Sequence, residues 1–256
     1  MSAAKKQTRP YPEPTTIGSF DVNADVTIAY DVFGELTPSS DVLILVHETG
    51  GTKEVFSRLI PVLSPYYTVI AYDLRGHGAS TGDDSQTTYQ DHARDLFTLM
   101  NRLQIGQACL VGASDGGAIV LQFAATHQER VAALVVISTP LDISALTTQA
   151  RLSSSIDKHI GGLLTGMSRH LGDDYFGPST LIGTSEVELA PLSRINVDAL
   201  VITADNDPIK REHSKQIADA LVNGELRFVD TNARDLLVEA PDELNEMVRH
   251  WLVDEG

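Results

Sequence analysis

The chain has almost no cysteine, little positive charge and no long apolar run, and each absence closes off a class of function. One cysteine in 256 residues, Cys109, excludes a disulfide framework. It lies in the apolar run ACLVG and reads as a small buried hydrophobe. Lys and Arg number 19 against 35 Asp and Glu, a formal net charge of −16. A nucleic-acid backbone or an anionic membrane surface calls for a basic face, so neither is an expected partner. No segment approaches the ~20 apolar residues of a membrane span. Residues 1–16 are polar and Pro-rich without the apolar stretch of a signal peptide, and read as a flexible arm. These features describe a soluble protein of a reducing compartment, expected in the cytoplasm. There is no internal repeat and no low-complexity run. A G-x-G-x-x-G is missing from the first strand–helix turn, which argues against a dinucleotide. Clustered Cys or His ligands are missing too, so no metal and no other cofactor is expected.

What is present is a packed-core composition, 42% hydrophobic and 21% charged, at a length that suits one large α/β domain. Strand-like runs fall at 19–22, 26–33, 42–46, 68–74, 108–112, 131–138, 199–204 and 225–229. VLILV at 42–46 is apolar throughout, the mark of a strand covered on both faces. Helical spacing appears at 54–63, 88–103, 117–127, 210–222 and 242–252. Alternating strands and helices imply a mostly parallel sheet between helical layers. The alternation stops over 141–192, a Ser/Thr/Gly-rich stretch that reads as a cap over the carboxyl edge of the sheet. The core is then 17–140 together with 193–256.

The sharpest motif is Gly112-Ala113-Ser114-Asp115-Gly116, a G-x-S-x-G set between a strand and a helix. Its glycines allow a tight turn that lifts the Ser114 hydroxyl above the sheet, facing the N-terminus of the next helix. With this turn in place the chain resembles the α/β-hydrolase superfamily, in the branch of capped esterases and lactonases. ILVHETGG (44–51) is similar to the oxyanion-loop segment, VIAYDLRGHGAST (69–81) to the D-x-R-G-x-G-x-S segment, VITADNDPI (201–209) to the acid-bearing turn, and LLVEAPDELNEMVRHWL (236–252) to the closing helix. The resemblance implies an eight-stranded, mostly parallel sheet flanked by helices, with a small helical cap inserted late. It implies Ser114 as nucleophile, Asp207 as the acid with Asp205 as fallback, and the N–H groups of Thr49 and Asp115 as oxyanion donors. His47 and Glu48 would belong to the pocket.

Two positions depart from the family pattern. The slot of the histidine, seven residues before Pro241, holds Arg234. An arginine stays protonated and accepts no hydrogen bond, so it cannot take the proton of Ser114. Proton transfer would need water, a carboxylate such as Glu48, or a cap histidine, His159 or His170. The second departure is Glu48 itself, where the family usually carries glycine after His47. An ion pair of Arg234 with Glu48 or Asp207 is one expectation, and an exposed Arg234 is the other. Asp115 either recognises a cationic or hydrogen-donating substrate group or caps its helix. Three functions follow: an enzyme acting on a small ester, lactone or related carbonyl compound; a non-catalytic binding protein using Arg234 to hold an anionic group; and a lyase- or isomerase-like enzyme with Arg234 as electrostatic stabiliser. The expected partner in each case is a small molecule, and the oligomeric state is left open.

Overall fold

The computed structural model describes residues 10–84, 86–151, 187–231 and 235–255. Eight strands form one sheet: β1 (Thr16–Asp21), β2 (Thr27–Phe33), β3 (Val42–Val46), β4 (Thr68–Tyr72), β5 (Ala108–Ala113), β6 (Val131–Ile137), β7 (Asp198–Ala204) and β8 (Asn223–Val229). Their order is β1-β2-β4-β3-β5-β6-β7-β8. β2 pairs antiparallel with β1 and β4, and β3 to β8 run parallel with one another and with β4. Every residue of β3, β4 and β5 is buried. The pleat divides these side chains between two cores. Ile44 and Val46 join Leu96, Leu99 and Phe123 on one face, whereas Leu43 and Leu45 join Phe56, Leu63, Leu244 and Trp251 on the other.

Helices cover both faces. The 54–63 segment, expected as one helix, splits into a 3-10 turn at Lys53–Phe56 and α1 (Ile60–Leu63), where Pro61 opens the second piece. α2 (Tyr89–Arg102) starts on a capping box, with the Thr88 hydroxyl accepting from the Asp91 N–H and the Asp91 carboxylate accepting from the Thr88 N–H. α3 (Asp115–His127) begins two residues earlier than its apolar spacing suggests, immediately after Ser114. α4 (Leu189–Leu192), α5 (Arg211–Ala220), α6 (Leu236–Glu239) and α7 (Pro241–Arg249) follow, the last running into a wider turn at His250–Glu255. Among the described residues no helix is long and apolar enough to cross a membrane.

The arm expected over 1–16 is described from residue 10, where Tyr11 packs edge-on against Phe33 and donates to Asp31, and the Thr15 N–H donates to the Val32 carbonyl just ahead of β1. The cap expected at 141–192 lies mostly outside the described residues, but both ends are in view. The Val187 N–H donates to the Leu141 carbonyl, closing the excursion at its base. Thr147 donates to the Pro208 carbonyl, and Lys210 donates through its N–H to Ala145 and through Nζ to the Ser144 carbonyl. The first turn of the excursion is therefore fastened to the turn that carries Asp207.

Candidate active site

The strand order places the site. From β3 the chain moves outward to β4, then crosses back over β3 to β5, so the order reverses at the carboxyl ends of β3 and β5. A crevice opens at such a reversal in parallel sheets. Glu48 and Thr49 follow β3 there, and Ser114 follows β5.

Ser114 has φ 51° and ψ −118°, a conformation that side-chain-bearing residues rarely adopt. Holding it costs about 1–3 kcal/mol, and the glycines around it show how it is held. A Cβ on Gly112 would stand 2.3 Å from the Gly116 carbonyl oxygen, and one on Gly116 would stand 2.0 Å from the Val46 carbonyl oxygen. A Cβ on Gly117 would meet the Thr139 hydroxyl at 1.9 Å. The helix start is pressed against the end of β3, and the Ser114 N–H is bonded to the Ile137 carbonyl at 2.8 Å.

Asp115 corrects both of its expected roles. It is fully buried and neither caps α3 nor faces the crevice as an open acceptor. Its carboxylate accepts from the Tyr89 hydroxyl at 2.8 Å and, over a short contact, from the Thr49 hydroxyl. Burial and the Asp115 charge push the Tyr89 phenol far above its ordinary range, so it remains a donor. The Thr49–Asp115 bond pins the loop after β3 to the nucleophile turn. Tyr89 carried no signal in the sequence as a site residue. The Thr88–Asp91 capping box places it in the first turn of α2, but its contact with Asp115 spans 26 positions.

His47 is wholly buried, and its pocket role is corrected to a structural one. Nε2 accepts from the Leu74 N–H at 2.9 Å, which leaves Nδ1 as the protonated nitrogen, donating to the Glu48 carbonyl at 2.6 Å. Burial lowers its pKa to about 4. His77 is used likewise: it accepts from the Gly50 N–H at 2.8 Å and meets the Arg75 carbonyl at 2.9 Å. The loop after β4 thus props the loop after β3. Within that supporting loop Asp73 accepts from the Lys53 ammonium at 2.6 Å, and Arg75 makes a two-pronged pair with Asp95.

The left-handed residue of the 48–51 turn is Gly50, φ 86°, and Glu48 needs no positive φ. Its side chain folds over Gly51, where a Cβ would stand 2.6 Å from Oε1. Oε1 is shut off from solvent and has no hydrogen-bond partner among the described residues. Burial raises this carboxyl from its ordinary range to about 7, opposed by a hydrogen bond from its own backbone N–H and aided by the charges of Asp235 and Asp115.

On the far side of the crevice, Asp207 follows β7 and is buried. Oδ2 accepts from the Ser138 hydroxyl at 2.5 Å and the Thr203 hydroxyl at 3.1 Å, and Oδ1 accepts from the Ile209 N–H at 2.8 Å. Burial raises its pKa, opposed by these bonds. Ser138 was not legible as a site residue. It ends β6 as Ser114 ends β5, with φ 48° and its N–H on the neighbouring Ile202 carbonyl, yet no glycine marks the turn. Asp205, the fallback acid, is half exposed and paired with Arg211. Arg234, His159 and His170 lie outside the described residues. Asp235, next to the Arg234 slot, caps α6 by accepting from the N–H groups of Leu237 and Val238. Among the described residues no three His, Cys, Asp or Glu side chains are grouped to hold a metal.

Comparison with known proteins agrees with this geometry. Residues 41–159 match the model of the alpha/beta hydrolase fold. The chain is 40% identical to the magnesium-chelatase 30 kDa subunit of Rhodobacter capsulatus over 84 residues, 32% of this chain and 30% of that protein. It is 26% identical to 3-oxoadipate enol-lactonase 2 of Acinetobacter baylyi, covering 88% of this chain and 92% of that one. Among solved structures, a carboxylesterase of Nitrososphaera gargenis superposes with a TM-score of 0.76 at 20% identity, covering 93% and 98% of the two chains. Sheet order, the reversal at β3 and β5, the strained serine between them and these likenesses lead to one conclusion: the chain has the α/β-hydrolase fold.

Proposed function

We propose that the protein is a hydrolase-type enzyme acting on a small ester, lactone or related carbonyl compound, with Ser114 as nucleophile and a triad that departs from the usual one. The observation that carries this reading is the Ser114 turn, strained at φ 51° and enclosed by three glycines that leave no room for a Cβ. Strain kept at a polar residue on the crevice is what presentation of a nucleophile demands. The neighbouring N–H groups of Thr49 and Asp115, tied together through the Asp115 carboxylate, are the donors for an oxyanion. The named relatives, an enol-lactonase and a carboxylesterase, suit an acyl-transfer reaction at a carbonyl carbon.

Asp207 holds the place of the acid. With arginine in the histidine slot it has no imidazole to orient there, and its oxygens are taken by Ser138, Thr203 and the Ile209 N–H. That saturation favours a second reading, a binding protein without catalysis in which Arg234 holds an anionic group. Intact-mass measurement after incubation with a fluorophosphonate separates the two. One adduct, lost in Ser114→Ala, is the expected result. No adduct on the wild type, together with an adduct on Arg234→His, would sink the catalytic reading and leave the binding one.

A further inference from the structure

A serine hydroxyl needs a proton acceptor to become a nucleophile at neutral pH. His47 and His77 are spent on backbone partners, and His213 accepts from the Leu141 N–H. Asp115 and Asp207 have hydroxyl or N–H donors on both oxygens. Glu48 differs from all of these. Its Oε1 is buried, unpartnered among the described residues, and housed in the space that Gly51 leaves by having no side chain. Its position is fixed from both sides. His47 and Thr49, its chain neighbours, are each locked, the first to Leu74 and the second to Asp115 beside Ser114. The two carboxylates whose charges reach it are Asp115, which follows the nucleophile, and Asp235, which follows the histidine slot. Glu48 is therefore within electrostatic reach of the residue that follows the nucleophile and of the residue that follows the histidine slot.

We propose that Glu48 is the proton-transfer group of this site, an assignment that rests on the reading of Ser114 as nucleophile. The Ser114 O–H bond breaks as its oxygen bonds to the substrate carbonyl carbon, and the proton passes to Glu48. When the bond to the leaving oxygen breaks, Glu48 returns the proton to that oxygen. Water then attacks the acyl-serine, gives its proton to Glu48, and Ser114 leaves by taking that proton back. The facing groups fit the role. Asp115 on α3 and Asp235 before α6 both oppose a second negative charge, and His47 in the same loop is neutral at pH 7. A carboxyl raised to about 7 has both forms present near neutrality, as a shuttle requires.

The test is the rate of Ser114 labelling by a fluorophosphonate from pH 5 to 9, read by intact mass on the full chain. The rate should rise with pH through a midpoint near 7. Glu48→Gln should lower the plateau by about 100-fold or more and abolish the midpoint, with Glu48→Asp restoring part of both. Circular dichroism melts confirm that each variant is folded. Labelling of Glu48→Gln at the wild-type rate and midpoint would overturn the proposal while leaving Ser114 as nucleophile. No labelling of the wild type at any pH would overturn both. Carboxyl 13C NMR of glutamate-labelled protein reads the group directly. A resonance that titrates near neutrality and is missing from Glu48→Gln is expected, and a Glu48 resonance titrating in the ordinary glutamate range would overturn the assignment by itself.

Discussion

The two sides of the crevice are built from the same kind of element, a turn at the carboxyl end of a parallel strand, and they have been kept to different standards. On the β3–β5 side the backbone leaves no freedom: Gly112, Gly116 and Gly117 are each in contact too close for a side chain, and Ser114 is strained between them. On the β6–β7 side Asp207 is buried and well bonded, but its partners are two hydroxyls and an N–H, with arginine in the slot that would supply an imidazole. The serine's geometry and the proton chemistry around it are thus separable. The first is set by local packing, and the second by which titratable group is left free to face it.

The largest effect that would test the rigid side is Gly116→Ala. The added Cβ meets a backbone carbonyl, that of Val46, and no side chain can yield. A loss of about 3 kcal/mol in urea unfolding is expected, with Ser114 labelling lost as well. A cost below about 1 kcal/mol would mean that the turn relaxes and is not held as described.

Next in size is the pH dependence that Glu48 brings. Its folded pKa is raised to about 7 above its ordinary value, so the native state holds a proton that the unfolded chain releases. Its contribution to stability is complete below about pH 4.5 and is lost as pH rises through 7. Glu48→Gln keeps the shape without the ionisation. Relative to that variant, the wild type should lose up to about 3 kcal/mol between pH 5 and 8. Parallel stability curves for the two proteins would refute the burial-driven shift.

Tyr89→Phe probes the bond that joins the first turn of α2 to the nucleophile turn. It removes a donor to a buried carboxylate, which costs about 1.5–3 kcal/mol. It should also slow Ser114 labelling, because Thr49 then holds Asp115 alone. Unchanged stability would show that the Asp115 carboxylate finds another donor.

Much of the rigid side was legible in the sequence. Continuous apolar runs at 42–46 and 108–112 named the central strands, and the glycine spacing around Ser114 named the turn, because both depend on neighbours in the chain. What was not legible depends on distant partners. The Asp115 carboxylate has two plausible uses in the sequence, and only the approach of Thr49 and Tyr89 shows that it serves neither. The left-handed backbone at Ser138 carries no glycine to announce it. Tyr11 sits in a Pro-rich polar stretch that reads as loose, and what orders it is a hydrogen bond to Asp31 and the face of Phe33. Glu48 was visible as a departure, but the burial of its Oε1 without a partner among the described residues is a property of the folded loop.

The smallest expected effect is the most pointed test of the comparison. Asp207→Asn removes the charge on the β6–β7 side while keeping the shape. The amide nitrogen can face the Ser138 and Thr203 hydroxyls, which turn to accept, while the amide oxygen keeps the Ile209 N–H. Burial raises the Asp207 pKa, so its contribution is full below the ordinary aspartate range and is lost as pH rises through the folded value. Removing the charge should therefore cost no more than about 1 kcal/mol at neutral pH, and Ser114 labelling should stay within about threefold of wild type, far from the loss of two or more orders that removing a general base brings. A fall of that size in Asp207→Asn would break the comparison. It would show that the acid turn still works on the proton of Ser114 through a group outside the described residues.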